Sequence, residues 1–206
     1  MVTLYWAPQT RSLSILWLLE ELGIPYRREL VDIRAGRQSD PEFRAINPMM
    51  KVPALTDGPV KVAETGAIVA YLADRYTAAG LAPAVDDPAR GDYLRWLFFA
   101  GSSIEAAYVQ IFTKLEMNPT SAGWGSAERV FDVIEAGITG SGGPWLLGET
   151  FSAADISVGS GLRFGLLFKI VEPRPAFTAY VERCTARPAF ARAQAIEAEA
   201  LAARGG

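Results

Sequence analysis

Two short segments of this 206-residue sequence, residues 47–55 and 64–68, contain residue types that could bind a small peptide-like anion. The first contains Val52-Pro53, and because proline cannot donate a ladder hydrogen bond, this pair is predicted at a sheet edge or at a cis bend. Val52 would then keep an unpaired N–H and C=O for an extended peptide. The second segment predicts a helix that opens near Thr65, where unsatisfied N–H groups favour a carboxylate.

The composition excludes several classes of site. The sequence has no histidine, which removes a Ser-His-Asp triad, a Cys-His pair and any His-bearing zinc site. Cys184 is the only cysteine, so no internal disulfide can form, and we expect no metal and no tightly bound cofactor. The net charge is −3, and without a basic cluster no nucleic-acid partner is expected.

No feature of the sequence indicates a membrane or an export signal. No apolar run approaches the roughly 20 residues of a membrane span. The first residues lack the basic and apolar regions of a signal peptide. We therefore expect a cytoplasmic protein with no membrane partner.

The elements that must position the two segments have the order β-α-β-(α)-β-β-α. Strands are predicted at residues 2–6, 26–33, 52–55 and 60–62, from short β-rich runs bounded by turn residues. A helix with apolar residues at three- and four-residue spacing follows the first strand, and another is predicted at about 65–76. This order is typical of a thioredoxin-like domain, which we assign to residues 1–77.

The remainder of the sequence predicts an all-α domain, so the fold class is α+β. Residues 78–88 are rich in Ala, Pro, Asp and Gly and predict a linker to a helical domain over 89–206. One long apolar stripe begins that domain. Ser152 and Asp155 have the spacing of a reciprocal capping box, which we expect to be buried at the start of a further helix.

The two motif segments resemble the cytosolic glutathione S-transferase family. Residues 47–55 and 64–68 nearly reproduce its pattern Asn-Pro-x-x-Lys-Val-Pro-x-Leu followed by Glu-Ser-x-Ala-Ile, with Thr65 replacing Ser and keeping the hydroxyl. The resemblance spans most of the chain, is most specific over 47–68 and is weakest across 100–140.

The resemblance implies a site for reduced glutathione. The main chain of Val52 would pair with the cysteinyl amide, and the hydroxyl and N–H of Thr65 would hold the γ-glutamyl carboxylate at the positive end of a helix. Glu64 would bind the γ-glutamyl ammonium group. Gln38 or Lys51 could contact the glycyl carboxylate, although a solvated surface role is an equal alternative for both.

The resemblance also implies a thiolate nucleophile, which family classes stabilise with a Tyr at the end of strand one or with a Ser or Cys near the first helix. Tyr5 has the tyrosine-class spacing, and Gln9 falls at the serine-class position. Thr10 is its neighbour, and Ser12 matches the second hydroxyl of the Ser-Arg-Ser opening common in bacterial and fungal members. We expect Thr10 or Ser12 to donate to the sulfur, with Tyr5, Arg11 or main-chain donors as the alternatives.

Each of these hydroxyls also has a structural interpretation. Thr10 and Ser12 could be ordinary N-cap residues, and Tyr5 could pack on the sheet. Because no cysteine lies here, the thiol–disulfide exchange typical of the omega and beta classes is not expected.

The function implied by the resemblance is conjugation of glutathione to a small hydrophobic electrophile, a detoxification reaction. Tyr108 and Phe112 could form the apolar wall of the electrophile site, although such a stripe is more often core. A homodimer is expected because family members associate in this way. The alternative is a non-catalytic module of the same fold that binds ligands or proteins, which the absence of an unambiguous catalytic Ser, Cys or Tyr favours.

Overall fold

The computed structural model describes residues 1–203, so the last three residues of the predicted helical domain lie outside the described part of the chain. In chain order the elements are β1 (Val2–Trp6), α1 (Ser12–Leu22), β2 (Tyr26–Leu30), α2 (Pro41–Arg44), β3 (Ala54–Asp57), β4 (Val60–Ala63), α3 (Thr65–Arg75), α4 (Arg90–Phe99), α5 (Glu105–Thr113), α6 (Ala127–Gly140), α7 (Ala153–Leu167), α8 (Pro175–Thr185) and α9 (Pro188–Ala202). No helix within residues 1–203 is both long enough and apolar enough to cross a lipid bilayer.

Two compact units make up the chain. The first comprises Met1–Ala79 together with the described residues from Arg187 onward, and the second comprises Gly80–Ala186. The first unit contains a four-stranded mixed sheet in the order β2-β1-β3-β4, and the second unit is helical. The predicted α+β class with a thioredoxin-like first domain is confirmed.

The register of the sheet decides which loops lie together. Strand β1 runs parallel to β2 and antiparallel to β3, with Tyr5 opposite Ala54, and β4 runs antiparallel to β3, with Ala63 opposite Ala54. The C-terminal ends of β1 and β4 and the N-terminal end of β3 therefore share one end of the sheet. The β1–α1 loop, the segment before β3 and the start of α3 all lie at this end.

The sheet-edge alternative for Val52-Pro53 is wrong, and the cis alternative is confirmed. Strand β3 is interior because it pairs with β1 on one side and β4 on the other. The Val52-Pro53 peptide bond is cis, and Val52 precedes β3 outside the paired residues of the sheet. The main-chain groups of Val52 therefore make no hydrogen bonds within the sheet because the chain bends before β3. They are not left unpaired by an edge position of the strand.

Strand β2 ends at Leu30, three residues earlier than predicted. The Asp32 carboxylate accepts hydrogen bonds from the backbone N–H groups of Arg34 (3.1 Å) and Ala35 (3.3 Å). A side chain that bonds its own backbone two and three residues ahead forms a turn, which ends the extended conformation.

The last helix, α9, belongs to the first unit, whereas the sequence places it in the helical domain. It packs against α1, where the rings of Trp17 and Phe190 meet edge to face with centroids 5.2 Å apart. Nearby, Arg187 Nη2 donates to Glu21 Oε2 at 2.8 Å. These contacts join residues more than 160 positions apart, so local sequence patterns do not report them.

The second unit is organised around a buried capping box at the start of α7. Asp155 and Ser152 are both buried, and the Asp155 carboxylate accepts the Ser152 N–H at 2.9 Å. It also accepts the Leu146 N–H (2.9 Å) and the Tyr180 hydroxyl (2.8 Å). Burial raises the pKa of Asp155 above its usual value, and these hydrogen bonds oppose the shift. The predicted capping box is confirmed.

Candidate functional site

Backbone strain is concentrated in the three loops that share one end of the sheet. Of the five non-glycine residues with positive φ between residues 1 and 203, three lie here: Gln9 (φ 60°), Met50 (φ 54°) and Glu64 (φ 70°). Such a conformation costs on the order of 1–3 kcal/mol and persists only when the surroundings hold it, which is a property typical of ligand sites. The sequence does not predict these positive φ angles, because none of the three residues is a glycine.

The β1–α1 loop brings two of the predicted hydroxyls into direct contact. The Thr10 hydroxyl lies 2.7 Å from its acceptor Ala7 O and 2.9 Å from Ser12 Oγ, and it accepts the Ser12 N–H at 3.1 Å. Ser12 is fully buried, and its Oγ accepts the Ala7 N–H at 3.4 Å. Thr10 is only partly buried. Thr10 is therefore the hydroxyl nearer to solvent, and Ser12 supports it from inside.

Gln9 is exposed, and its backbone N–H donates to Glu197 Oε1 of α9 at 2.7 Å. Glu197 thus contributes to the candidate site, although no sequence reasoning found it. The two residues are 188 positions apart, and an acidic residue in an Ala-rich helix carries no local signal of such a contact.

Asn47 supports the segment that leads to the cis peptide bond. It is buried, its Nδ2 donates to the Lys51 carbonyl (2.8 Å), and its Oδ1 accepts the Met49 N–H (3.0 Å). These bonds fix the turn through Met50, after which the chain reaches Val52. The Lys51 side chain is exposed. In the sequence, Asn47 is only the first residue of the family motif, and nothing local indicates these bonds.

Gln38 is partly buried, and it lies in the short 3₁₀ turn Arg37–Ser39. Its Oε1 is buried without a hydrogen-bond partner among the described residues. Only its amide nitrogen could donate to a carboxylate of a ligand.

Helix α3 begins directly after Glu64, whose side chain is exposed. The Glu64 carbonyl accepts the Ile68 N–H at 2.9 Å, while no side chain of the described residues caps the helix. The first-turn N–H groups, beginning with Thr65, therefore have no side-chain acceptor. An uncapped helix N-terminus is suited to a carboxylate of a ligand.

Tyr5 packs against a small hydrophobic cluster of the first unit. Side chains alternate along β1, and Tyr5 packs with Val31 and with Phe43 of α2, its ring centroid 6.0 Å from that of Phe43. It lines a cavity of about 430 Å³ with these residues. This placement favours the packing interpretation of Tyr5.

The two residues predicted to contact an electrophile differ in exposure. Tyr108 is buried in the second unit, where its hydroxyl donates to the Gly161 carbonyl at 2.7 Å and its ring lies 6.0 Å from that of Phe131. Phe112, one turn later on α5, is 64% exposed. Tyr108 therefore has the contacts of a core residue, and only Phe112 presents an apolar surface.

No three His, Cys, Asp or Glu side chains within residues 1–203 are grouped so that they could hold a metal ion. The polar groups at the shared end of the sheet are instead hydroxyls, the carboxylates of Glu64 and Glu197, and main-chain N–H groups. Such a set could bind a zwitterionic peptide and donate hydrogen bonds to an anionic sulfur.

Comparison with known proteins agrees with this arrangement. The family model for the N-terminal domain of glutathione S-transferase matches residues 1–74. The disulfide-bond oxidoreductase YfcG of Escherichia coli strain K12 is 30% identical over 207 residues, which cover 94% of each chain. A glutathione transferase homologue from Sulfitobacter, crystallised with bound glutathione, is 29% identical with a TM-score of 0.77, covering 94% of this chain and 97% of that one.

A glutathione transferase from Methylococcus capsulatus is also similar in structure. It is 30% identical with a TM-score of 0.81, and the match covers 96% of this chain and 99% of that one. These likenesses extend over both units rather than over the sheet alone. The chain belongs to the cytosolic glutathione S-transferase family.

Proposed function

We propose that this protein binds reduced glutathione where the β1–α1 loop, the cis-proline segment and the start of α3 meet, and that it joins the glutathione sulfur to a small hydrophobic electrophile. The observation that carries the proposal is the strained backbone at Gln9, Met50 and Glu64, one residue in each of these three loops. Strain at three neighbouring loops supports a binding role better than a purely structural one. Glutathione bound to a similar transferase homologue is consistent with the choice of ligand.

Binding would use both ends of the peptide. Glu64 holds the γ-glutamyl ammonium group, while the uncapped first turn of α3 and the Thr65 hydroxyl hold the γ-glutamyl carboxylate. The main chain of Val52, which lies outside the sheet pairs, bonds the cysteinyl amide. Gln38 and Lys51 are secondary contacts for the glycyl carboxylate.

The proposed chemistry is attack by the glutathione thiolate on an electrophilic carbon, which forms a carbon–sulfur bond as the leaving group departs with its electron pair. A free thiol has a pKa near 8.5, and each unit by which a site lowers it requires about 1.4 kcal/mol of preferential stabilisation of the anion. Thr10 is the better donor of the two hydroxyls because Ser12 is fully buried, and when glutathione binds Thr10 would turn its one proton from Ala7 O to the sulfur. Ser12 then serves to orient Thr10, and the thiol proton leaves to solvent.

The remaining parts of the proposal concern the setting of the reaction. Phe112 is exposed and could contact the electrophile, whereas the buried Tyr108 would act on that site only through packing. We further propose a homodimer and a cytoplasmic location, in a detoxification role.

A second candidate function is reduction of disulfides by glutathione, favoured by the 30% identity to a disulfide-bond oxidoreductase. The only cysteine, Cys184, is 1% exposed, so no protein thiol would take part. One glutathione thiolate would attack the disulfide, break its sulfur–sulfur bond and form a mixed disulfide as the first product thiolate leaves; a second glutathione thiolate would then attack the mixed disulfide and release the second product thiolate as oxidised glutathione forms. Reduction of bis(2-hydroxyethyl) disulfide, measured beside conjugation of 1-chloro-2,4-dinitrobenzene, distinguishes the two activities.

The binding site is tested by retention on immobilised glutathione with elution by the free tripeptide. Glu64→Ala should lose retention, because removal of a charge-assisted partner costs about 2–3 kcal/mol, roughly a hundredfold in affinity. Glu42→Ala is the matched control, since Glu42 is also an exposed acid at the start of a helix in the same unit. Retention of Glu64→Ala equal to that of the control would show that the proposed site is wrong.

Sulfur activation is tested separately. Thr10→Ala should keep retention and reduce turnover, with a higher pH midpoint for the thiolate absorbance of bound glutathione. Ser12→Ala should have the same effect in weaker form. If only Tyr5→Phe moves the midpoint, activation belongs to Tyr5, and retention without any turnover in the parent would favour the non-catalytic alternative.

A further inference from the structure

The last helix of the first unit contributes a carboxylate to the loop that carries Thr10. We propose that Glu197 is a positioning residue for the proposed glutathione reaction, holding the turn at Gln9 so that the Thr10 hydroxyl faces the sulfur. This inference rests on the proposed function. The observation behind it is the hydrogen bond from Gln9 N–H to Glu197 Oε1 at 2.7 Å.

The conformation of Gln9 requires support of this kind. Its φ of 60° lies in the left-handed region, which is unfavourable for a non-glycine residue. A charge-assisted hydrogen bond to its N–H is strong enough to offset that cost. The next residue, Thr10, has its hydroxyl within hydrogen-bond distance of both Ala7 O and Ser12 Oγ, so any change of the turn at Gln9 moves the donor.

The place of Glu197 is itself fixed by contacts between α9 and α1. Arg192 Nε donates to Glu20 Oε2 at 2.7 Å, and Arg192 Nη2 donates to the Glu20 carbonyl at 2.8 Å. The Arg187–Glu21 pair lies near the start of the same helix. These contacts hold α9 against α1, whose N-terminus follows the loop that contains Thr10. They place Glu197 within hydrogen-bond distance of the Gln9 N–H.

Glu197 acts through its hydrogen bond to the Gln9 N–H and not through the electrostatic field of its charge at the sulfur. A carboxylate close to a thiolate disfavours ionisation of the thiol, so its field would oppose activation. The Gln9–Glu197 bond is exposed to solvent, where ions and water screen that field. A glutamine at position 197 keeps an oxygen acceptor and removes the charge, whereas an alanine removes both.

Hydrogen exchange of the Gln9 amide tests the contact without glutathione. Glu197→Ala should accelerate exchange of this amide about tenfold or more, the loss expected for a hydrogen bond to a charged group. Glu197→Gln should accelerate exchange less than Glu197→Ala does, because the amide oxygen still accepts the bond but without the charge. Glu199→Ala, which changes an exposed acid two residues further along α9, is the matched control and should exchange as the parent does.

The kcat and the pH midpoint of the bound thiolate test whether loss of this hydrogen bond affects the proposed reaction. Glu197→Ala should lower kcat about tenfold and raise the thiolate midpoint of bound glutathione by about one pH unit, Glu197→Gln should fall between the parent and Glu197→Ala, and Glu199→Ala should resemble the parent. The inference is overturned if Glu197→Ala matches Glu199→Ala in exchange and midpoint, or if Glu197→Gln is as impaired as Glu197→Ala. A parent that does not bind glutathione refutes the proposed function, while the exchange result still reports whether Glu197 holds the turn.

Discussion

Replacement of Asp155 by alanine should destabilise the second unit severely. The carboxylate is fully buried and accepts four hydrogen bonds, from the N–H groups of Leu146 and Ser152 and from the hydroxyls of Ser152 and Tyr180, at 2.8–3.1 Å. The two hydroxyls can rotate toward other acceptors, but the two N–H groups cannot. Each buried donor left unsatisfied costs about 1–3 kcal/mol. We therefore expect a loss of about 3–4 kcal/mol, against a typical total stability of roughly 5–15 kcal/mol.

The assay is urea denaturation followed by tryptophan fluorescence and circular dichroism, with a thermal scan beside it. A loss of about 3–4 kcal/mol corresponds to a fall in Tm of roughly 10 °C for a chain of this size. Asp132→Ala is the control, because its carboxylate is 57% exposed and pairs with Arg174 at 2.7 Å. An exposed pair of this kind contributes at most about 1 kcal/mol.

Tyr180→Phe removes the hydroxyl that donates to Asp155 and keeps the packing of the aromatic ring. Alone it removes one donor and should cost about 1 kcal/mol, because Asp155 keeps its other partners. In the double variant the two single losses should sum to more than the observed loss, since each single variant already removes the same Tyr180–Asp155 hydrogen bond. A loss for Asp155→Ala below about 1 kcal/mol, or strict additivity with Tyr180→Phe, would refute the reasoning.

The remaining predictions concern pH and association. Because burial raises the pKa of Asp155, the part of its contribution that depends on the bound proton is fully present below about pH 4 and is lost as pH rises through the raised value, so Asp155→Ala should cost more at pH 4 than at pH 8 in urea titrations. Equal costs at both values would contradict this shift. Phe98 on α4 and Val109 on α5 are 52% and 56% exposed, and we expect a homodimer to bury apolar surface of this kind. Sedimentation at micromolar concentration should give the dimer mass, and a monomer mass would exclude this association.

Local patterns in the sequence predicted the order of the sheet elements and the capping box. The order of strands and helices predicted the thioredoxin-like sheet, and that order places the segments before β3 and α3 at one end of it. Proline at position 53 predicted the bend before β3, although it could not distinguish a cis bond from an edge strand. The Ser152–Asp155 spacing predicted the capping box because both of its hydrogen bonds are local.

How far each candidate hydroxyl is buried was decided by tertiary packing. From spacing alone, Tyr5, Thr10 and Ser12 were all candidates for sulfur activation. The structure buries Ser12, sets Tyr5 against Phe43 and leaves Thr10 partly exposed. These differences arise from neighbours on other elements, which a linear pattern does not contain.

The sequence by itself determined the family, the sheet and the loops of the candidate site, because hydrophobic periodicity, proline chemistry and capping act over a few residues. Tertiary structure alone decided that α9 joins the first unit, that Glu197 meets Gln9, and that strain gathers at Gln9, Met50 and Glu64. Each of these depends on contacts between distant parts of the chain. A non-glycine residue adopts a left-handed conformation only where such contacts hold it. The residue type at these positions therefore does not predict the conformation.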